Sequence, residues 1–172
     1  MVDYSKIKLV VLDVDGTLTD GGIYYDAQGN EMKRFDVKDG LAIRVGIAAG
    51  LEFAIITGRI SSMVERRAKE LGIQHLQIGV QQKYPALVQL LQGLEIQPEE
   101  TCYIGDDWND LQCMQYVGLK MCPGDAAVEI TQICDYIAEN GGGKGAVREC
   151  LRYLLVNQNR WTNYCERTYI TE

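Results

Sequence analysis

At 172 residues with a formal net charge of −7, the chain has the length of one domain and the wrong sign for a general nucleic-acid or membrane-surface binder. No apolar run approaches the roughly 18 residues that span a bilayer, and Lys6 and Lys8 precede an apolar stretch too short for a secretory leader. The six cysteines form no CxxC pair and accompany one histidine, which argues against zinc and fits small core residues in a reducing cytoplasm.

The first predicted element is a strand over Ile7–Val14 that runs into Asp13-Val14-Asp15-Gly16-Thr17. Next, Ile23-Tyr24-Tyr25 and Met32-Lys33-Arg34-Phe35 flank a turn-rich Asp26–Asn30, which predicts a protruding β-hairpin over about residues 22–36. A lone two-stranded hairpin is marginal in water. Its aromatic residues are therefore expected to pack against another subunit or against their own domain. A helix over Gly40–Ala49 precedes a strand at Phe53–Ile56. The next helix, Ser62–Leu71, carries a candidate capping box in Ser62 and Glu65 and a closing Gly72. A strand at Leu76–Ile78, with His75 at its edge and no role, leads to a helix at Tyr84–Leu94 with Pro85 in its first turn. Strand Cys102–Ile104, helix Asn109–Val117, strand Leu119–Cys122 and helices Ala126–Cys134 and Ala146–Val156 complete the order.

This alternation predicts an α/β fold: a doubly wound, Rossmann-like, mostly parallel sheet with helices on both faces. The domain is expected to cover residues 1–157. Residues 158–172, with Trp161, Tyr164 and Tyr169, form a tail that is either disordered or an arm docked elsewhere.

Four polar signals fall at the carboxyl ends of predicted strands, the edge where such sheets bind ligands. They are Asp13 with Asp15, then Thr57-Gly58-Arg59, then Lys83, then Gly105-Asp106-Asp107-Trp108-Asn109-Asp110. Asp13 can act as a nucleophile toward phosphorus. Asp15 can protonate a leaving alcohol and then deprotonate water. Carboxylates this clustered repel unless a cation intervenes, and oxygen-only donors suit Mg²⁺. Thr57 and Lys83 can bind the remaining phosphoryl oxygens, while Gly58 permits close backbone approach.

The series Asp13-x-Asp15-Gly16-Thr17, Thr57, Lys83 and Gly105-Asp106-Asp107-x-x-Asp110 resembles the haloacid dehalogenase-like phosphohydrolase superfamily, over roughly Ile7 to Tyr153. The resemblance implies that Asp13 is the nucleophile and Asp15 the general acid and base. It implies Mg²⁺ held by the Asp13 carboxylate, the Asp15 main-chain carbonyl and the Asp106 carboxylate, with Asp107 and Asp110 in supporting roles.

Asp13–Gly22, Phe35–Gly40, Ile55–Arg59, Tyr103–Asp110 and Gly143–Glu149 are similar to a capless branch of that superfamily that acts on phosphorylated keto sugar acids. This implies hydrolysis of a 3-deoxy-octulosonate 8-phosphate to the free sugar acid and phosphate through an aspartyl phosphate, or alternatively of a nonulosonate 9-phosphate. It also implies a cytoplasmic homotetramer joined through the hairpins and a product destined for a surface glycan such as lipopolysaccharide. About forty residues separate Asp15 from Thr57, too few for a lid domain beside the hairpin and helix, so a neighbouring subunit is the available cover. Arg59 can pair with the sugar's carboxylate and favours the octulosonate. Lys144 and Arg148, in and after the Gly141–Gly145 loop, are further candidates for substrate contact. Trp108, where leucine is common, Lys144 and the longer tail depart from the pattern. The competing readings are a non-catalytic oligomerisation module of a nucleotide-sugar synthetase system, a phospho-accepting receiver and a phosphomutase.

Overall fold

Leu9-Val10-Val11-Leu12 forms the central strand of the sheet, and all four residues are buried. The structure, a computed structural model, describes residues 2–161. In chain order the chain forms β1 (Leu9–Leu12), the hairpin strands β2 (Tyr24–Tyr25) and β3 (Glu31–Met32), α1 (Val37–Ala48) and β4 (Glu52–Ile56). Then come α2 (Ser62–Leu71), β5 (His75–Gln77), α3 (Lys83–Leu94), β6 (Thr101–Ile104) and α4 (Leu111–Tyr116). The last elements are β7 (Leu119–Cys122), α5 (Val128–Thr131), β8 (Tyr136–Ile137) and α6 (Ala146–Asn157).

Six strands form one parallel sheet in the order β5-β4-β1-β6-β7-β8. The chain winds outward from β1 through β4 to β5, then crosses back to β6 on the other side. The switch point therefore lies at the carboxyl end of β1, where open α/β sheets bind ligands. Strand alternation divides the core in two. Val10 and Leu12 pack with α1, α2 and α6; Leu9 and Val11 pack with α3, α4 and α5. Both faces are covered, which is why β1 reads as an unbroken apolar run.

The doubly wound architecture is the expected one, and among the described residues no cap domain stands between β1 and β4. Several local expectations are corrected. α1 begins at Val37 rather than Gly40, because the Asp36 carboxylate accepts the Lys38 N–H at 2.7 Å and starts the helix earlier. Ser61, not Ser62, is the N-cap of α2. Its side chain makes no capping bond, and its carbonyl accepts the N–H groups of Val64 and Glu65, so the proposed box is absent. The helix expected over Ala126–Cys134 shrinks to α5, since the flanking backbone bonds elsewhere: Ala127 N–H to the Asp106 carbonyl and Asp135 N–H to that of Lys120. Strand β8 was not anticipated. Gly72 closes α2 in the left-handed region, and Pro85 sits in the first turn of α3, both as expected. His75 opens edge strand β5 and meets Glu52 at 3.2 Å.

In the hairpin, Tyr24 lies opposite Met32 and Tyr25 opposite Glu31. Asp26 holds the turn, accepting the N–H groups of Gln28 and Asn30. Ile23, Tyr24, Tyr25 and Met32 are exposed. Cys102, Cys113, Cys122 and Cys150 are free and buried; Cys134 is half-buried. Trp161 packs against the main core under Arg148, whereas the tail residues Tyr164 and Tyr169, like Cys165, lie outside the described residues.

Asp39 of α1 joins two helices. Its Oδ1 accepts the Arg148 N–H at 2.7 Å, and the Gly145 N–H also bonds this carboxyl, so Asp39 caps α6 from outside. The Oδ2 atom is buried and has no partner among the described residues. Burial, with some help from the Asp36 charge, raises its pKa from 3.8 to about 6 against those N–H groups and the Arg148 charge. A carboxyl raised on folding contributes stability that is complete below 3.8 and is lost as pH rises through about 6. Asp39→Asn is therefore expected to flatten the fall in stability between those values, by up to about 3 kcal/mol. Urea denaturation across that range measures it, and an unchanged slope would refute the assignment.

Candidate active site

Asp13 follows β1 directly, and its N–H still bonds the Ile104 carbonyl at 3.0 Å. The carboxylate is buried. The chain then turns, with the Val14 carbonyl accepting the N–H groups of Thr17 and Thr19. Gly16 has φ +95°, and a Cβ there would overlap the Asp106 carboxylate, so both conformation and space demand glycine. Thr17 Oγ1 donates to Asp106 Oδ1 at 3.1 Å. Gly142 packs on the same turn so closely that a side chain would strike the Gly16 carbonyl, and the Gly143 N–H bonds the Thr17 carbonyl at 3.1 Å.

Lys83 opens α3 and is buried between two acids, donating to Asp13 Oδ1 at 2.5 Å and Asp110 Oδ1 at 2.8 Å. Asp110 is saturated: Oδ1 also accepts the Tyr103 hydroxyl at 2.8 Å, and Oδ2 accepts the N–H of Asp106 at 3.2 Å and of Asp107 at 3.5 Å. Oxygens of Asp13, Asp106 and Asp110 lie within 4.8 Å of one another. Three carboxylates thus face one ammonium. Burial, followed by the charge of Asp110, pushes the Asp13 pKa well above the usual carboxylate range despite Lys83. The same two causes raise Asp106 to about 6, against hydrogen bonds with Asp13 and Thr17. Burial opposes the Lys83 charge, but the two acids outweigh it and its pKa rises. An all-oxygen cluster with surplus negative charge fits a hard divalent cation, and Asp13 and Asp106 have the lone pairs to hold one.

Thr57 directly follows β4, buried, with its N–H on the Gln77 carbonyl at 3.0 Å and its own carbonyl accepting the Val80 N–H at 3.0 Å. Gly58 and Arg59 follow, half-buried. Asp15, in the turn after Asp13, forms an ion pair with Lys33 and lies 3.9 Å from Arg59. Arg59 also reaches Glu31 at 2.6 Å, and Lys33 reaches the same carboxylate at 3.4 Å. Asp107 is exposed and bonds the Trp108 N–H. Lys144 is exposed, and the Arg148 guanidinium lies 5.6 Å over the Trp161 ring. Among the described residues neither cation forms a hydrogen bond or ion pair with the acidic cluster.

The structure thus unites Asp13, Lys83, Asp106 and Asp110 in one cluster and sets Asp15 and Arg59 in an adjoining one. Sequence reasoning missed Thr17, Tyr103, Glu31 and Lys33. Tyr103 carried a signal, since a tyrosine in a fully buried strand needs a partner for its hydroxyl. Glu31 and Lys33 carried a weaker one, their i, i+2 spacing in a strand context.

A profile described as haloacid dehalogenase-like hydrolase matches residues 79–149. The 3-deoxy-D-manno-octulosonate 8-phosphate phosphatase KdsC of Escherichia coli BL21-DE3 is 43% identical over 160 residues, covering 93% of this chain and 85% of that protein. The Moraxella catarrhalis phosphatase of the same name, crystallised with magnesium, phosphate and KDO, has a TM-score of 0.91 at 42% identity, with coverage of 94% and 92%. The Yersinia pestis enzyme gives 0.89 at 42% identity, with coverage of 91% and 85%. The chain belongs to the 3-deoxy-D-manno-octulosonate 8-phosphate phosphatase family of haloacid dehalogenase-like hydrolases.

Proposed function

We propose that the chain hydrolyses 3-deoxy-D-manno-octulosonate 8-phosphate to the free sugar acid and phosphate in a Mg²⁺-dependent reaction, with Asp13 as nucleophile. The observation that carries this reading is the Asp13 carboxylate, buried at the sheet's switch point with Lys83 at 2.5 Å, in a chain of that family. Asp13 attacks phosphorus, the bond to the sugar's oxygen breaks, and Asp15 gives that oxygen its proton. Asp15 then takes a proton from water, which attacks the aspartyl phosphate, frees phosphate and restores Asp13. Lys83 and Thr57 bind phosphoryl oxygens from fixed positions. The Asp13 and Asp106 carboxylates and the Asp15 main-chain carbonyl would hold Mg²⁺, which supplies charge neutralisation for an anionic nucleophile meeting a phosphoryl group. Asp110, with its lone pairs engaged, positions Lys83 and the Asp106 loop. Arg59 takes the sugar's carboxylate.

We further propose a cytoplasmic homotetramer, and the exposed Ile23, Tyr24, Tyr25 and Met32 support its being joined through the hairpins. Among the described residues no helix is long and apolar enough to cross a membrane. Phosphate release from the octulosonate 8-phosphate is expected with Mg²⁺, to be lost with EDTA and restored by excess Mg²⁺. Release that persists in EDTA would overturn the metal requirement. Light scattering on the active protein should give four chains, and a fully active monomer would overturn the assembly.

A further inference from the structure

Four charged side chains from three segments close a ring beside Asp13. Asp15 contacts Lys33 and Arg59; Glu31 contacts the same two cations from the other side. Signs alternate around the ring and sum to zero. Lys33 has only 2% of its side chain exposed, and among the described residues its two ion-pair partners are Asp15 and Glu31. A buried ammonium requires such partners. Arg59 stands 2.6 Å from Glu31 but 3.9 Å from Asp15, so the closer acid holds the guanidinium off the farther one. Alternation of side chains along β3 and the residue just after it makes this possible. Glu31 and Lys33 turn toward the site, while Met32 between them is exposed.

We propose that Glu31 and Lys33 are positioning residues of the reaction: Lys33 fixes the Asp15 carboxyl group, and Glu31 draws Arg59 away from it, keeping the guanidinium available for the substrate's carboxylate. This rests on the roles given above to Asp15 and Arg59. Without Lys33, Asp15 loses its close partner and Arg59 is the cation left beside it. With Glu31 neutral, Arg59 falls onto Asp15 and is lost to the substrate.

Steady-state kinetics on three substrates test it: the octulosonate 8-phosphate, a pentose 5-phosphate lacking a carboxylate, and an aryl phosphate. Lys33→Met is expected to lower kcat at least about tenfold on all three with KM little changed, and Lys33→Arg to recover part of the loss. Glu31→Gln is expected to raise KM about tenfold for the octulosonate 8-phosphate alone. Equal KM effects on all substrates, or unchanged kcat in Lys33→Met, would overturn the proposal. Should Lys33→Met fail to fold by circular dichroism, Lys33→Arg carries that arm: a folded variant with wild-type kcat overturns the role. A wild-type protein with no preference for the octulosonate over the pentose phosphate would sink the substrate reading instead. The aryl phosphate would still report on Lys33.

Discussion

Replacing Asp13 with asparagine is expected to remove turnover, by about 10⁴-fold or more, and leave the fold intact. An amide oxygen cannot attack phosphorus as a carboxylate does, yet it still accepts the Lys83 hydrogen bond seen at 2.5 Å. The sign of the stability change follows from the site's electrostatics. Burial and Asp110 raise the Asp13 pKa, so its ionised form costs stability at neutral pH, progressively more as pH climbs above 3.8. Without Mg²⁺, Asp13→Asn should therefore melt at or above the wild-type temperature near pH 7. Phosphate release and a thermal melt decide the matter. Turnover within about tenfold of wild type would remove Asp13 from the nucleophile's place.

Lys83→Met is the second large effect, and it should act on stability and rate together. Among the described residues Lys83 is the one cation touching Asp13 and Asp110. Removing one partner of a buried ion pair strands the other's charge, at about 3–5 kcal/mol. For a domain of this size each kcal/mol lowers the melting temperature by roughly 2–4 °C, so a drop of about 6–20 °C is expected without metal. Turnover should fall about 10²–10³-fold if Lys83 has the phosphoryl-binding role proposed for it. Excess Mg²⁺ should narrow the stability gap by supplying positive charge to the same acids. A melting shift under about 2 °C with near-normal turnover would show that Lys83 anchors neither acid.

The strands that carry the chemistry were legible because each is a short apolar run ending in a polar signature. β1, β4, β6 and β7 each begin and end within two residues of their expected bounds. Asp13, Lys83 and Asp106 could be read as one cluster because parallel strands deliver their ends to a common edge. What escaped was set by contacts distant in sequence. Nothing local tells that Lys33 folds back eighteen positions to reach Asp15. Nor does helical periodicity over Ala126–Cys134 disclose that Ala127 must hold the Asp106 carbonyl, which leaves α5 only a remnant of the helix. Ser62 and Glu65 matched a pattern by spacing, but the chain put Ser61 at the helix start instead.

The bond from the Asp13 amide to the Ile104 carbonyl extends the β1–β6 ladder one rung past the strand. Asp13 is therefore bolted to the innermost part of the architecture. Hydrogen exchange at that amide should require the sheet to come apart, as it does for the most protected core positions. Whatever motion the site requires is left to segments outside the sheet, such as the exposed hairpin, while the Asp13 backbone stays still.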